Sequence, residues 1–128
     1  MIYGDSDKVV TYLEKIEKYQ EDKKNAVTTT QLRLLLSNAV IIKNKIQVET
    51  RTKKGDEISE KLENEIKYLL VKHIYQCGRE PKVKRFDNEF HISEKIKSIG
   101  KSAKKFNEFY RYLEEIVAYM KYYESDNK

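Results

Sequence analysis

The sequence predicts an all-α fold, a single compact domain spanning 1–128 and built as a bundle of about five helices. Three observations predict it. Apolar residues recur at spacings of three and four along most of the 128-residue chain, the signature of amphipathic helices. Four glycines and one proline are too few turn-makers for many short strands. The hydrophobic share of 39% is modest and the charged share of 37% is high, which fits helices with broad solvated faces around one core. A disordered chain would scatter its apolar residues instead of spacing them.

Taken in order, the first helix is expected over 6–22, where Val9, Val10, Tyr12, Leu13, Ile16 and Tyr19 share a face and Asp5 or Ser6 starts the turn. Residues 23–27 form a polar break. A second helix opens in Thr28-Thr29-Thr30, whose hydroxyls can cap free N–H groups, and runs to about Val48. It is apolar nearly all round (Leu32, Leu34, Leu35, Leu36, Ala39, Val40, Ile41, Ile42, Ile46), with Arg33, Ser37, Asn44 and Gln47 on one narrow stripe. Such a helix is expected to be central, and Lys43, in its apolar sector, to snorkel or meet a partner.

The charged stretch 49–56 reads as a mobile loop. A third helix, 57–77, is expected to turn Ile58, Leu62, Ile66, Leu69, Leu70, His73, Ile74 and Cys77 inward and to stop at Gly78. Pro81 suits the first turn of a fourth helix, which carries Val83, Phe86, Phe90, Ile96 and Ile99 to Gly100 with a kink at 91–93. The fifth, 102–123, buries Ala103, Phe106, Phe109, Tyr110, Leu113, Ile116, Val117 and Met120, leaving 124–128 as a frayed polar tail.

The formal net charge is +5 and the isoelectric point about 9.1, a balance that suits an anionic partner. The excess cations sit at 43–54, 67–85 and 95–105, while 56–66 is acidic. No run of about 20 apolar residues and no cleavable leader pattern is present, so no membrane partner is expected. The lone Cys77 cannot form an internal disulfide, which fits a reducing, cytoplasmic setting.

Catalytic and metal motifs are lacking. His73 and His91 are far apart in sequence, with no H-x-x-x-H or C-x-x-C, so no metal and no cofactor is expected. His73 reads as a core histidine with a satisfied ring nitrogen and Cys77 as small core filler. Their i, i+4 spacing would allow a Cys–His nucleophile, but an apolar setting raises a thiol pKa. Glu57, Glu60, Glu63 and Glu65 could suggest a two-metal nuclease. Beside Lys61 and Lys67 they read as ordinary ion pairing on a solvated helix. No phosphate loop, nucleophile elbow or dinucleotide fingerprint occurs, and no catalytic residue is assigned.

A more informative pattern faces the other way on the third helix. Tyr68, Lys72, Tyr75 and Arg79 recur at spacings of four, three and four and share one stripe. Cations neutralise phosphate and tyrosine rings stack on bases or ribose. The segment 79–85 carries the basic edge around the turn, where first-turn N–H groups could also meet a phosphate. The alternative is a solvated cationic face whose tyrosines cover neighbouring helices. A second aromatic stripe, Tyr112, Tyr119 and Tyr123, suits a protein–protein contact or a wider core contact within the domain.

Three segments also resemble a known family. Thr29-Thr30-Gln31-Leu32-Arg33 resembles the "T-S-Q-[IL]-R" helix start in the small subunit of the type III-A CRISPR (Csm) effector complex. Residues 67–80, Lys-Tyr-Leu-Leu-Val-Lys-His-Ile-Tyr-Gln-Cys-Gly-Arg-Glu, resemble its "K-Y-L-K-V-[RK]-F-x-Y-x-A-G-R-E" block. Residues 106–123 are similar to its closing "F-x-x-Y-M-E-A-[LI]-V-A-Y-x-K-[YF]-[YF]". Cys77 stands where alanine is usual, and the usual glycine after the final aromatics is missing; both affect packing and not the basic positions.

The resemblance implies a non-catalytic five-helix subunit, stacked in several copies along a ribonucleoprotein that serves antiviral defence. Its implied partners are guide RNA and target RNA, the backbone and large subunits, and copies of itself. By that analogy, contacts to the RNA backbone are expected at Arg33, Lys43, Lys45, Lys67, Lys72, Arg79, Lys82 and Lys84. Lys72 and Arg79 stand out because the stripe selects them independently. The rival reading is a free-standing helical adaptor or regulator that binds a protein partner through its tyrosine-rich face.

Overall fold

A computed structural model describes residues 6–22, 24–52 and 54–126, with side chains between 14 and 123. Six helices follow one another: α1 (Ser6–Glu21), α2 (Thr29–Thr50), α3 (Glu60–Arg79), α4 (Pro81–Phe90), α5 (Ile92–Lys97) and α6 (Ala103–Asp126). No strand occurs among the described residues; the lone β-type pairing is an isolated bridge between Glu57 and Ser102. The side chains of Val9, Val10, Tyr12 and Leu13 lie outside the described residues.

The helix starts have local causes. Gln31 N–H donates to Thr28 Oγ1 at 3.2 Å while Gln31 Oε1 accepts from Thr28 N–H at 2.9 Å, a reciprocal cap that begins α2. Ser59 Oγ accepts from Leu62 N–H at 3.2 Å, so α3 starts at Glu60 and not at 57, where Glu57 is held in the bridge. Gly78 does not stop α3. The helix ends after Arg79 because Glu80, at φ −120° and ψ 106°, is extended, as the residue before a proline is pressed to be.

The expected kink in the fourth helix is a full break into α4 and α5. His91 stands between them in the left-handed region, φ 57° and ψ 41°. There its N–H bonds to Asp87 O at 2.7 Å, and the Asp87 carboxylate accepts the Ser93 N–H at 2.7 Å.

α2 packs on α6 and α3, α3 on α4 and α5, and α1 on α6. Leu32, Leu35, Ala39, Ile42 and Ile46 of α2 meet Leu62, Ile66 and Leu69 of α3 and Phe106, Leu113, Ile116 and Met120 of α6 in one core. An aromatic corner closes one end: Tyr19 lies edge-on to Phe90 at 5.3 Å, and Phe90 tilts against Phe86 at 5.1 Å. Because its neighbours cover only part of its circumference, α2 is not enclosed as expected. Leu34, Ile41 and Val48, seven residues apart, are 52%, 51% and 62% exposed. Ile74 of α3, also expected inside, is 48% exposed.

The stretch expected to be a mobile loop is shorter, since α2 runs to Thr50, and its far end is bonded down. Ile58 N–H reaches Lys101 O at 2.8 Å and Ala103 N–H reaches Asp56 O at 2.9 Å. The Asp56 carboxylate accepts from the Ser102 hydroxyl and, at 2.6 Å, from Lys104 N–H, so a residue before α3 caps α6. α6 itself continues to Asp126, past its expected end.

Candidate nucleic-acid interface

Helix α3 turns its core side inward with Leu62, Ile66, Leu69 and His73 buried. That leaves Tyr68, Tyr75 and Arg79 exposed on the opposite side, with Lys72 half-buried among them. Lys72 Nζ sits 4.6 Å from the centre of the Tyr68 ring, a cation–π contact that holds the ammonium over the aromatic face. Lys72 also lines a groove between α2 and α3 with Asn38, Ile41 and Leu69. Exposed Val71 and Ile74 flank the stripe, so the surface is cationic, aromatic and apolar together. The helical period alone assigns Val71 to no face and Ile74 to the core, which is why these neighbours were missed.

The other sequence-selected cations fall into separate groups. Lys67 is exposed and 3.8 Å from Glu63 one turn back. Lys82 and Lys84 follow on α4, half-buried and exposed respectively, across the Glu80–Pro81 corner. Lys45 bonds to Glu65 Oε1 at 2.6 Å and ties α2 to α3. Lys43 points to the far flank of α2, its Nζ 4.8 Å from the Tyr110 ring. Arg33 is exposed on the polar stripe of α2. The structure thus keeps Lys72 and Arg79 together on α3, sets Lys67 apart on the α5 side of that helix beside Ile96 and Lys97, and turns Lys43 toward α6. At the start of α4, the N–H groups of Val83 and Lys84 already bond to Glu80 O at 3.0 and 3.1 Å.

The aromatic stripe of the last helix is not an open one. Tyr112, Tyr119 and Tyr123 are partly buried against the core. Tyr112 donates its hydroxyl proton to Phe90 O at 3.0 Å and lies under Lys95 Nζ at 4.4 Å, and burial pushes its phenol up to about 12. The exposed tyrosine of this helix is Tyr122.

Among the acidic residues of 57–65, Glu63 and Glu65 are engaged by Lys67 and Lys45, an ion-paired surface and not a converging carboxylate pocket. The close group of metal-type donors among the described residues lies elsewhere, at His73, Cys77 and Asp87. His73 Nε2 is 2.9 Å from Asp87 Oδ1, which supplies the partner expected for a buried histidine. Burial, with the Asp87 charge, pushes the Cys77 thiol up to about 11, the direction that disfavours a nucleophile.

The family model described as Csm2 Type III-A matches residues 4–126, nearly the whole chain. The chain belongs to the Csm2 family, the small subunit of type III-A CRISPR complexes. Curated relatives agree. The chain is 35% identical over 108 residues to the CRISPR system Cms protein Csm2 of Mycobacterium tuberculosis (strain CDC 1551 / Oshkosh), covering 83% of this chain and 84% of that protein. It is 34% identical over 118 residues to the protein of the same name from Streptococcus thermophilus, covering 88% and 90%. For that from Enterococcus italicus the figures are 33% over 101 residues, covering 77% and 69%. The matched span of this Csm2 family member contains all of α2 to α6, hence every basic residue discussed above.

Proposed function

We propose that this chain is a non-catalytic subunit that stacks in several copies along a cytoplasmic type III-A ribonucleoprotein. There it contacts the backbone of the guide–target RNA duplex through its basic residues and so supports target binding in antiviral defence. The observation that carries this reading is the exposed face of α3, where Tyr68, Lys72, Tyr75 and Arg79 lie together within the span matched to the family. Lysine and arginine meet phosphate without reading sequence, as a protein that must accept any guide–target duplex requires. Lys82 and Lys84, beyond the Glu80–Pro81 corner, and Lys67, on the α5 side of the helix, are further contacts in this reading. The engaged Lys45 and the outlying Lys43 and Arg33 are secondary contacts in this reading.

The same face offers Val71 and Ile74, and α2 offers Leu34, Ile41 and Val48. An isolated monomer gains little from five such residues in water. They suit contacts with neighbouring copies and with the backbone and large subunits. An aromatic protein contact on α6 centres on Tyr122, with the edges of Tyr112, Tyr119 and Tyr123.

Affinity purification of the tagged chain from its host tests the whole reading. A guide RNA of defined length and a fixed set of partner proteins should come with it. Recovery of the chain alone, or with one protein and no RNA, would favour the free-standing adaptor instead.

A further inference from the structure

We propose that His73, Cys77 and Asp87 form a binding site for a divalent transition metal of the zinc class. The donors come from two elements. His73 and Cys77 lie one turn apart on α3, and Asp87 reaches them from α4. One donor atom from each lies within 4.8 Å of the other two. No motif in the sequence announces this, because the third donor is 14 residues from the first and on a different helix.

The distances suit a tetrahedral ion. Zinc bonds of about 2.0–2.1 Å to nitrogen and oxygen and about 2.3 Å to sulfur imply a nitrogen–sulfur edge of about 3.6 Å and a nitrogen–oxygen edge of about 3.3 Å. Cys77 Sγ is 3.6 Å from His73 Nε2, and Asp87 Oδ1 is 2.9 Å from the same nitrogen. Of the three edges, one already has its length, the nitrogen–oxygen edge must open by about 0.4 Å, and the sulfur–oxygen edge, which lies within 4.8 Å, adjusts with the same side-chain rotation.

The surroundings are those of a supported site. Ser93 donates its N–H to Asp87 Oδ1 at 2.7 Å and its hydroxyl proton to Oδ2 at 2.8 Å, fixing the carboxylate as an outer shell fixes a metal ligand. The His73 side chain is 1% exposed and that of Asp87 16%, so the ion would be sheltered yet reachable from the Cys77–Asp87 edge. Three protein donors leave a fourth position for water. A thiolate and a carboxylate together carry the charge that balances a divalent cation. On binding, the thiol proton leaves to solvent, and the proton through which His73 Nε2 now donates to Asp87 is exchanged by way of solvent for one on Nδ1, which leaves the Nε2 lone pair to the metal.

Cobalt(II) titration of the full chain under reducing conditions is the test. One equivalent should bring a thiolate-to-cobalt charge-transfer band and the intense visible bands of tetrahedral cobalt, both erased by added zinc. Cys77→Ala should abolish the charge-transfer band and weaken binding at least about tenfold, with helix content by circular dichroism unchanged. Ser93→Ala should weaken binding by about 10- to 100-fold, and His91→Asn, which removes the imidazole while tolerating the left-handed backbone, should leave binding unchanged. His73→Phe serves as a second ligand variant wherever it remains helical. A spectrum no stronger than that of hydrated cobalt, or bands that persist in Cys77→Ala, would overturn the proposal.

Discussion

Replacing Lys72 and Arg79 together by alanine asks whether the α3 stripe touches phosphate. Each phosphate neutralised adds about 0.7–0.9 to the slope of log affinity against log salt, so losing both contacts should flatten the slope by about 1.4–1.8. Over a fourfold change in salt, that alters the ratio of wild-type to variant affinity by about 7- to 12-fold. Lys72 begins 4.6 Å over the Tyr68 ring and must exchange that contact for a phosphate. A cation–π contact at an exposed site is worth only about 0.5–1 kcal/mol, too little to withhold it. Lys45 is the internal comparison. Its 2.6 Å pairing with Glu65 must break before it can meet phosphate, so Lys45→Ala, a secondary contact, should flatten the slope less than either Lys72→Ala or Arg79→Ala. Tyr75→Ala should weaken binding by about 1–3 kcal/mol if its ring stacks on a base, with no change of slope. The assay is target-RNA binding by the assembled complex across a salt series, with unrelated targets expected to lose affinity alike. A Lys72/Arg79 variant that assembles normally and keeps both affinity and slope would reduce the stripe to a solvated face.

Four further outcomes follow from particular contacts. Ile41→Ser should shift stability by no more than about 0.5 kcal/mol, whereas Ile42→Ser, a position 5% exposed, should cost several times more by chemical denaturation. Phe90→Ala should cost about 3–5 kcal/mol, because Phe90 is fully buried between Tyr19 and Phe86. The Ser102 and Lys104 hydrogen bonds hold the Asp56 carboxyl below its ordinary value. Its stabilising effect is therefore complete above the unfolded value of about 3.9 and is lost as the pH falls through the lower folded value. Asp56→Asn should accordingly flatten the acid limb of melting temperature against pH. Cys77, with its thiol near 11, should react with an alkylating agent at pH 8 about a hundredfold more slowly than an ordinary cysteine, since only the thiolate reacts.

Much of the helix plan was legible because its signals are local. Thr28 and Gln31 cap one another within a single turn, and the alternation of apolar and charged residues on α3 and α6 is a property of consecutive positions. The break near 91–93 was legible as a kink. Its depth was not, since it depends on Asp87 bonding forward to Ser93. Gly78 misled in the opposite direction. Glycine is permitted inside a helix, and the neighbouring Pro81 decided where α3 ended by holding Glu80 extended.

For the candidate interface, the spacing of Tyr68, Lys72, Tyr75 and Arg79 was enough to place them on one side of a helix, since a helix is rigid over that distance. Whether another helix covers that side is a tertiary matter, as is the pairing of Lys45 with Glu65 across 20 residues. The same limit explains Tyr112, which the period of α6 sets apart from Phe106 and Leu113 but which the fold brings under Lys95 and against Phe90.

By itself, then, the sequence determined the all-α class, the approximate helices, the basic stripe on α3 and, through its quoted blocks, the family. Each of these depends on residues a few positions apart, where the helix rise and 100° turn fix relative directions. Only the tertiary structure decided which apolar residues stay exposed, such as Leu34, Ile41 and Ile74, and which cations are already engaged. It alone brought Asp87 to His73 and Cys77 and Asp56 to the start of α6. Those outcomes rest on how helices dock. Docking is set by the summed burial of many side chains from distant parts of the chain, and no short window of sequence contains that sum.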